Sequence, residues 1–272
     1  MLLLITYGRF SCFRARGLAL LLYTVKLVWT YSDRFKKGRI NKNSLASHEY
    51  IQFLFRKSIK EAPSSYKKIV FTDLYNFPLF DDLNVELIPA PKKDFIFLDD
   101  LKFDAAEAIN GEFIITDGDL FIKDKLSIPP NSKIGFECKV ECEDTFKMKL
   151  LMQKEGIDKE LEYWQGENKF INNLGLMYFN DDLLKNELIK EYRNTQLFFS
   201  LYVDEKYKIN KKEFLFGSVG CCMFTHQFLE SIQIKPFYFL DNNFGKFDHL
   251  GEKRKLSLID DFNKINIKSS LI

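Results

Sequence analysis

Short apolar runs alternate with stretches of helical spacing along the first half of this chain. Residues 25–31 (VKLVWTY) are rich in β-branched and aromatic side chains and read as a strand. A polar loop with Gly38 and Asn41 leads into residues 44–62, where Leu45, Tyr50, Ile51, Leu54, Phe55 and Ile59 recur near helical spacing. Ser44 offers an N-cap there, and Pro63 ends the helix. Residues 67–73 (KKIVFTD) give a second strand ending on Asp73, and residues 85–90 (VELIPA) a short third. Residues 98–110 have helical composition and are closed by Gly111, after which residues 112–119 (EFIITDGD) form the next strand. The order β-α-β-β-α-β predicts an α/β fold: a single domain with a mixed, mainly parallel sheet and flanking helices.

The second half has a different texture. After a loop (LSIPPNS), residues 133–141 (KIGFECKVE) read as one strand. Residues 144–169 are charged and without clear period. Residues 170–180 (FINNLGLMYFN) are apolar again and run into Asp181-Asp182. Residues 181–208 predict a long helix with Leu183, Leu184, Leu188 and Ile189 on one side, and residues 217–234 another. Residues 235–245 read as strand then loop, residues 246–255 (KFDHLGEKRK) as a polar turn, and the last dozen as a surface helix or tail.

Composition changes this picture little. Hydrophobic residues make up 46% and charged residues 29% of 272, which is ordinary for a globular chain of this length. A net charge of +2 with mixed signs gives no field that would gather nucleic acid, so no nucleic-acid partner is expected. Five cysteines, an odd number without framework spacing, point to reduced thiols and a cytoplasmic location. Residues 1–24 hold two short apolar runs split by Arg9, Arg14 and Arg16, each too short to span a bilayer. They read as an N-terminal extension or extra strand, with a signal or anchor as the other reading, so peripheral membrane contact stays open. The domain itself is expected over residues 25–255, and residues 256–272 as a C-terminal helix or tail.

The chemistry concentrates at Asp117-Gly118-Asp119. In extended chain, residues two apart point the same way, so both carboxylates can converge. Two like charges near a core need a cation or a proton between them, and an oxygen pair suits Mg2+ or Mn2+. Ligands of open α/β sheets sit beyond the carboxyl ends of strands, which is where this pair falls, and Gly118 leaves space for a phosphate. An acidic turn after a strand is the plain alternative.

The stretch EFIITDGDLFI resembles the metal-binding Asp-x-Asp strand of GT-A glycosyltransferases. NNLGLMYFN is similar to the Asn-x-Gly strand of the glycogenin-like retaining families, and FDHLGEK to their C-terminal His/Gly/Lys segment. The resemblance runs from about residue 25 to residue 255. It implies a GT-A-like, Rossmann-like fold and metal-dependent transfer of a sugar from a nucleotide-sugar to a glycan or other hydroxyl acceptor. It also implies Asp117, Asp119 and His249 as metal ligands, and Lys253 on the diphosphate. An imidazole beside two carboxylates favours Mn2+ over Mg2+. Asp73, at a strand end, would contact base or ribose, or simply start a turn. Lys102, in the helix before the acid pair, is a donor-site candidate. Asn173 would bond the sugar, or only shape the turn before Gly175. Gln227 and Glu230 are the candidates for a polar group near the anomeric carbon, or else a solvated helix face. His226 and His48 read as structural, and Trp29 as core.

Two rival readings remain. One is a GT-A-like domain that binds or assembles without turnover. The other is a haloacid-dehalogenase-like phosphatase, whose acid pair carries its glycine after the second acid rather than between the two.

Overall fold

The computed structural model describes residues 25–32, 48–93, 99–142, 169–206, 212–250 and 258. The expectations for residues 1–24, for Ser44, for the segment 144–168, for Lys253 and for nearly all of the tail lie outside the described residues.

β1 (Lys26–Tyr31) is an interior strand of a seven-stranded sheet. β2 (Lys67–Thr72) and β3 (Glu86–Pro89) add to one side of it, both parallel. β4 (Phe113–Thr116) adds to the other side, also parallel. Beyond β4 lies β9 (Leu176–Phe179), antiparallel to β4 and to β6 (Ile134–Phe136), and β10 (Phe237–Tyr238) closes that edge parallel to β6. The sheet is therefore mixed and mainly parallel, with β9 alone reversed.

Helices cover both faces, so the central strands are buried on both sides and show no alternation of apolar with polar residues. The alternation is instead one of destination. Leu27, Trp29 and Tyr31 pack on one face with Ile59 of α1 (His48–Glu61), Phe80 and Phe239. Val28, Ile69, Phe113 and Ile115 pack on the other. That second face is covered by α2 (Asp100–Ala108), α3 (Asp182–Lys206) and α4 (Lys212–Ser231), through Phe103, Leu188, Tyr192, Phe224 and Phe228.

Three stretches differ from the sequence pattern. Residues 112–119 are not one strand: β4 ends at Thr116, a turn holds the acid pair, and β5 (Leu120–Ile122) leaves for a separate two-stranded sheet. Its partner is β11 (Phe247–His249), which the sequence shows only as part of a polar turn. Three residues with one buried phenylalanine are too few to display a period, and the pairing partner is far away in the chain. Residues 133–141 likewise break at Glu137, after which β7 (Lys139–Glu141) pairs with β8 (Phe170–Asn172) as a small antiparallel sheet. The strand read over residues 235–245 is only β10, followed by the one-turn helix α5 (Phe239–Asn242).

Candidate functional site

The parallel strands deliver their carboxyl ends to one edge of the sheet. Asp73 follows β2 there and Asp117 follows β4. The chain reverses after β4 in a tight turn, with the Leu120 N–H donating to the Asp117 carbonyl at 3.2 Å. The two carboxylates thus converge through a turn rather than along an extended strand. Gly118 does not open that turn to solvent. It is buried, and the Phe55 ring from α1 lies where a side chain would be.

β11 carries His249 to the same place. His249 pairs in register with Leu120, the residue next to Asp119, and the following N–H, from Leu250, donates to the Asp119 carbonyl at 3.0 Å. Ligand atoms of Asp117, Asp119 and His249 come within 4.8 Å of one another. Among the described residues, no other trio of His, Cys, Asp or Glu side chains converges in this way.

Each member is held by a neighbour that the sequence pattern does not single out. The His249 ring nitrogen Nδ1 donates to Glu137, 2.9 Å from Oε1 and 3.0 Å from Oε2. This leaves Nε2 facing Asp119 Oδ1 at 3.6 Å. Burial alone would lower the imidazole pKa, but the neighbouring Asp119 and Glu137 carboxylates outweigh it and raise the group to about 10. Asp117 receives the Lys102 ammonium on Oδ1 at 2.7 Å. Burial pushes the Asp117 carboxyl up to about 6 against the pull of that lysine, with Asp119 and Asp99 adding repulsion. Lys102 also reaches Asp99 Oδ1 at 3.0 Å and the Leu174 carbonyl at 2.7 Å. Its three N–H donors match these three acceptors. Burial opposes the ammonium, but Asp117 and Asp99 hold it above the ordinary lysine range.

The other candidates are distributed unevenly. Asn173 and Gly175 lie beside the trio: the Gly175 N–H donates to Asn173 Oδ1 at 2.9 Å, and the Gly175 carbonyl accepts from the Asp117 N–H at 3.0 Å. Asp73 is buried at the same sheet edge, where Ser32 donates to its Oδ2 at 2.7 Å. Gln227 is buried on α4 with neither amide atom hydrogen-bonded among the described residues, and Glu230 is exposed one turn later. Neither belongs to the converging trio. His226 bonds Asn172 at 3.3 Å, and Trp29 is fully buried with its N–H on Ser58.

Glu137 and Asp99 are the residues that sequence reasoning missed. Asp99 carried a weak signal, because acid and lysine three apart meet on a helix. Glu137 carried none, lying 112 residues from its partner inside a strand-like run.

No protein-family model matches the chain, and no curated protein matches it in sequence. Solved structures with similarity to it include mouse xyloside xylosyltransferase 1 in its apo form, at 13% identity and TM-score 0.41, over 85% of this chain and 98% of that one. An active-site mutant of LgtC is similar at 14% identity and TM-score 0.35, over 71% and 69% of the two chains. The glycosyltransferase GlyE of Streptococcus pneumoniae TIGR4 is similar at 12% identity and TM-score 0.36, over 85% and 59%. These likenesses are distant and stand beside the topology without carrying it. By its sheet order the chain is a mixed, mainly parallel α/β domain, with the acid pair beyond the carboxyl end of β4.

Proposed function

We propose that this domain is a metal-dependent glycosyltransferase that moves a sugar from a nucleotide-sugar to a hydroxyl acceptor, a glycan in the first instance. The observation that supports it best is the convergence of Asp117, Asp119 and His249 on one point at the carboxyl edge of the sheet. The donor set fits a divalent ion. Two carboxylates and one imidazole suit Mn2+, and a histidine whose Nδ1–H is bonded to a carboxylate presents Nε2 in a fixed direction. When bound, the ion would supply neutralising charge where the nucleoside diphosphate leaves.

The chain's own residues would do the rest. Lys102 fixes Asp117, and Glu137 fixes His249. Asp73 would receive the nucleoside at the neighbouring strand end, where Ser32 already orients its carboxylate. Asn173 and Gly175 would border the sugar, with Lys253 on the diphosphate. Retention of configuration, with Gln227 or Glu230 near the reacting carbon, is proposed from the resemblance alone. A cytoplasmic site of action is part of the same proposal; none of the described helices is long and apolar enough to cross a membrane.

A thermal-shift panel of nucleoside diphosphates with and without Mn2+ tests the reading. One diphosphate with Mn2+ should raise the melting temperature of wild type, since a ligand at a hundred times its Kd stabilises by about 2.7 kcal/mol. Asp119→Ala should lose that rise. If Asp119→Ala responds to Mn2+ and to every diphosphate as wild type does, the metal assignment is wrong.

One observation favours a second reading. The Lys102 ammonium already neutralises Asp117, which suits a domain that binds a nucleotide without turnover. Release of free diphosphate from a panel of nucleotide-sugars separates the two: turnover supports the transferase, and tight binding without release supports the binding module.

A further inference from the structure

We infer that Glu137 is a positioning residue of the metal centre, setting the direction of His249 Nε2. The inference rests on the metal-dependent reading above and extends it to a residue outside the three ligand candidates.

Three observations carry it. First, both oxygens of Glu137 lie within 3.0 Å of one nitrogen, His249 Nδ1, so the ring is fixed about its own plane and its other nitrogen is aimed at Asp119. A carboxylate behind a histidine also makes the far nitrogen a better ligand. Second, Glu137 is itself rigidly placed. It is 6% exposed, at the break between β6 and β7. Its N–H donates to the Asn173 carbonyl at 3.2 Å, and its carbonyl accepts from the Leu240 N–H at 2.9 Å. A carboxylate this buried, with its backbone bonded on both sides, faces the imidazole rather than solvent. Third, the turn between β8 and β9 makes room for it. A Cβ on Gly175 would lie 2.0 Å from Glu137 Oε2 and 3.0 Å from His249 Cε1. The glycine of the Asn-x-Gly stretch is therefore the residue that lets carboxylate and imidazole meet. Its backbone carbonyl, bonded to the Asp117 N–H, ties the same turn to the acid pair.

Glu137 acts through His249, and this separates a positioning role from a general electrostatic or folding role. Mn2+ affinity, read by electron paramagnetic resonance of the free ion, is measured for wild type, Glu137→Gln, Glu137→Ala, His249→Ala and the double variant Glu137→Ala/His249→Ala. Thermal melts confirm that each is folded. Loss of an outer carboxylate costs about 10–100-fold in metal affinity, and Glu137→Ala should fall in that range. Glu137→Gln keeps an oxygen that can accept from Nδ1–H and should recover part of the loss. The double variant should bind no more weakly than His249→Ala alone. If the two losses multiply, Glu137 works by its charge or by folding, and the positioning role is overturned while the metal centre stands. If wild type binds no Mn2+, the metal reading itself falls and this inference falls with it. If Glu137→Ala binds as wild type does, only the inference is overturned.

Discussion

Gly118 sits between the two acids with the Phe55 ring pressed against it: a Cβ built there would lie 2.2 Å from two ring carbons. Its backbone is not left-handed, so the requirement is for space rather than for glycine's conformational freedom. Gly118→Ala must push α1 or the turn aside. Overpacking of this kind costs about 1–3 kcal/mol, and the displaced turn should also separate the two carboxylates. Chemical denaturation should show the stability loss and Mn2+ titration a weaker site; an alanine variant as stable and as metal-avid as wild type would show that α1 yields freely. His226 carries a different consequence. Burial disfavours its charged form, Lys139 adds to this and Glu230 opposes it, so its pKa lies below the ordinary histidine value. The unfolded chain then binds a proton that the folded chain refuses, and stability falls as pH drops through and below the ordinary value of about 6.5. Between about pH 7 and about pH 5, wild type should lose melting temperature more steeply than His226→Asn. Equal slopes would show that this imidazole is not held neutral.

The elements around the site differ in how firmly they are held. β1, β2 and β4 are buried on both faces within the seven-stranded sheet, whereas β7 is exposed along its whole length and, among the described residues, pairs only with β8. Local opening is easiest where few apolar groups are buried. Hydrogen exchange followed by mass spectrometry should find peptides over β7 and β8 exchanging well before those over β1 and β4. Equal protection would mean that the small sheet opens only with the whole domain. The main elements were legible in the pattern, because β1, β2 and β4 stand out as apolar runs, α1 and α3 show helical spacing, and α2 has helical composition. β11 and the break at Glu137 were not. A three-residue strand is defined by the partner it bonds, and that partner, β5, is more than a hundred residues away.

At the scale of the whole molecule, the site exists because two separate parts of the sheet system end at one edge. The parallel strands bring Asp73 and Asp117 there by their common direction, and the β5–β11 ladder returns His249 beside Asp119. The sequence by itself determined the α/β character and the acid pair at a strand end, because those follow from local periodicity and residue type, while His249 became a candidate only through the resemblance carried by its segment. Only the tertiary structure decided that the histidine meets the acids, that Lys102 is engaged by Asp117 and Asp99, and that Glu137 stands behind the imidazole. Those are contacts between residues remote in the chain, and a one-dimensional pattern carries no record of which remote residues a fold brings within hydrogen-bonding distance.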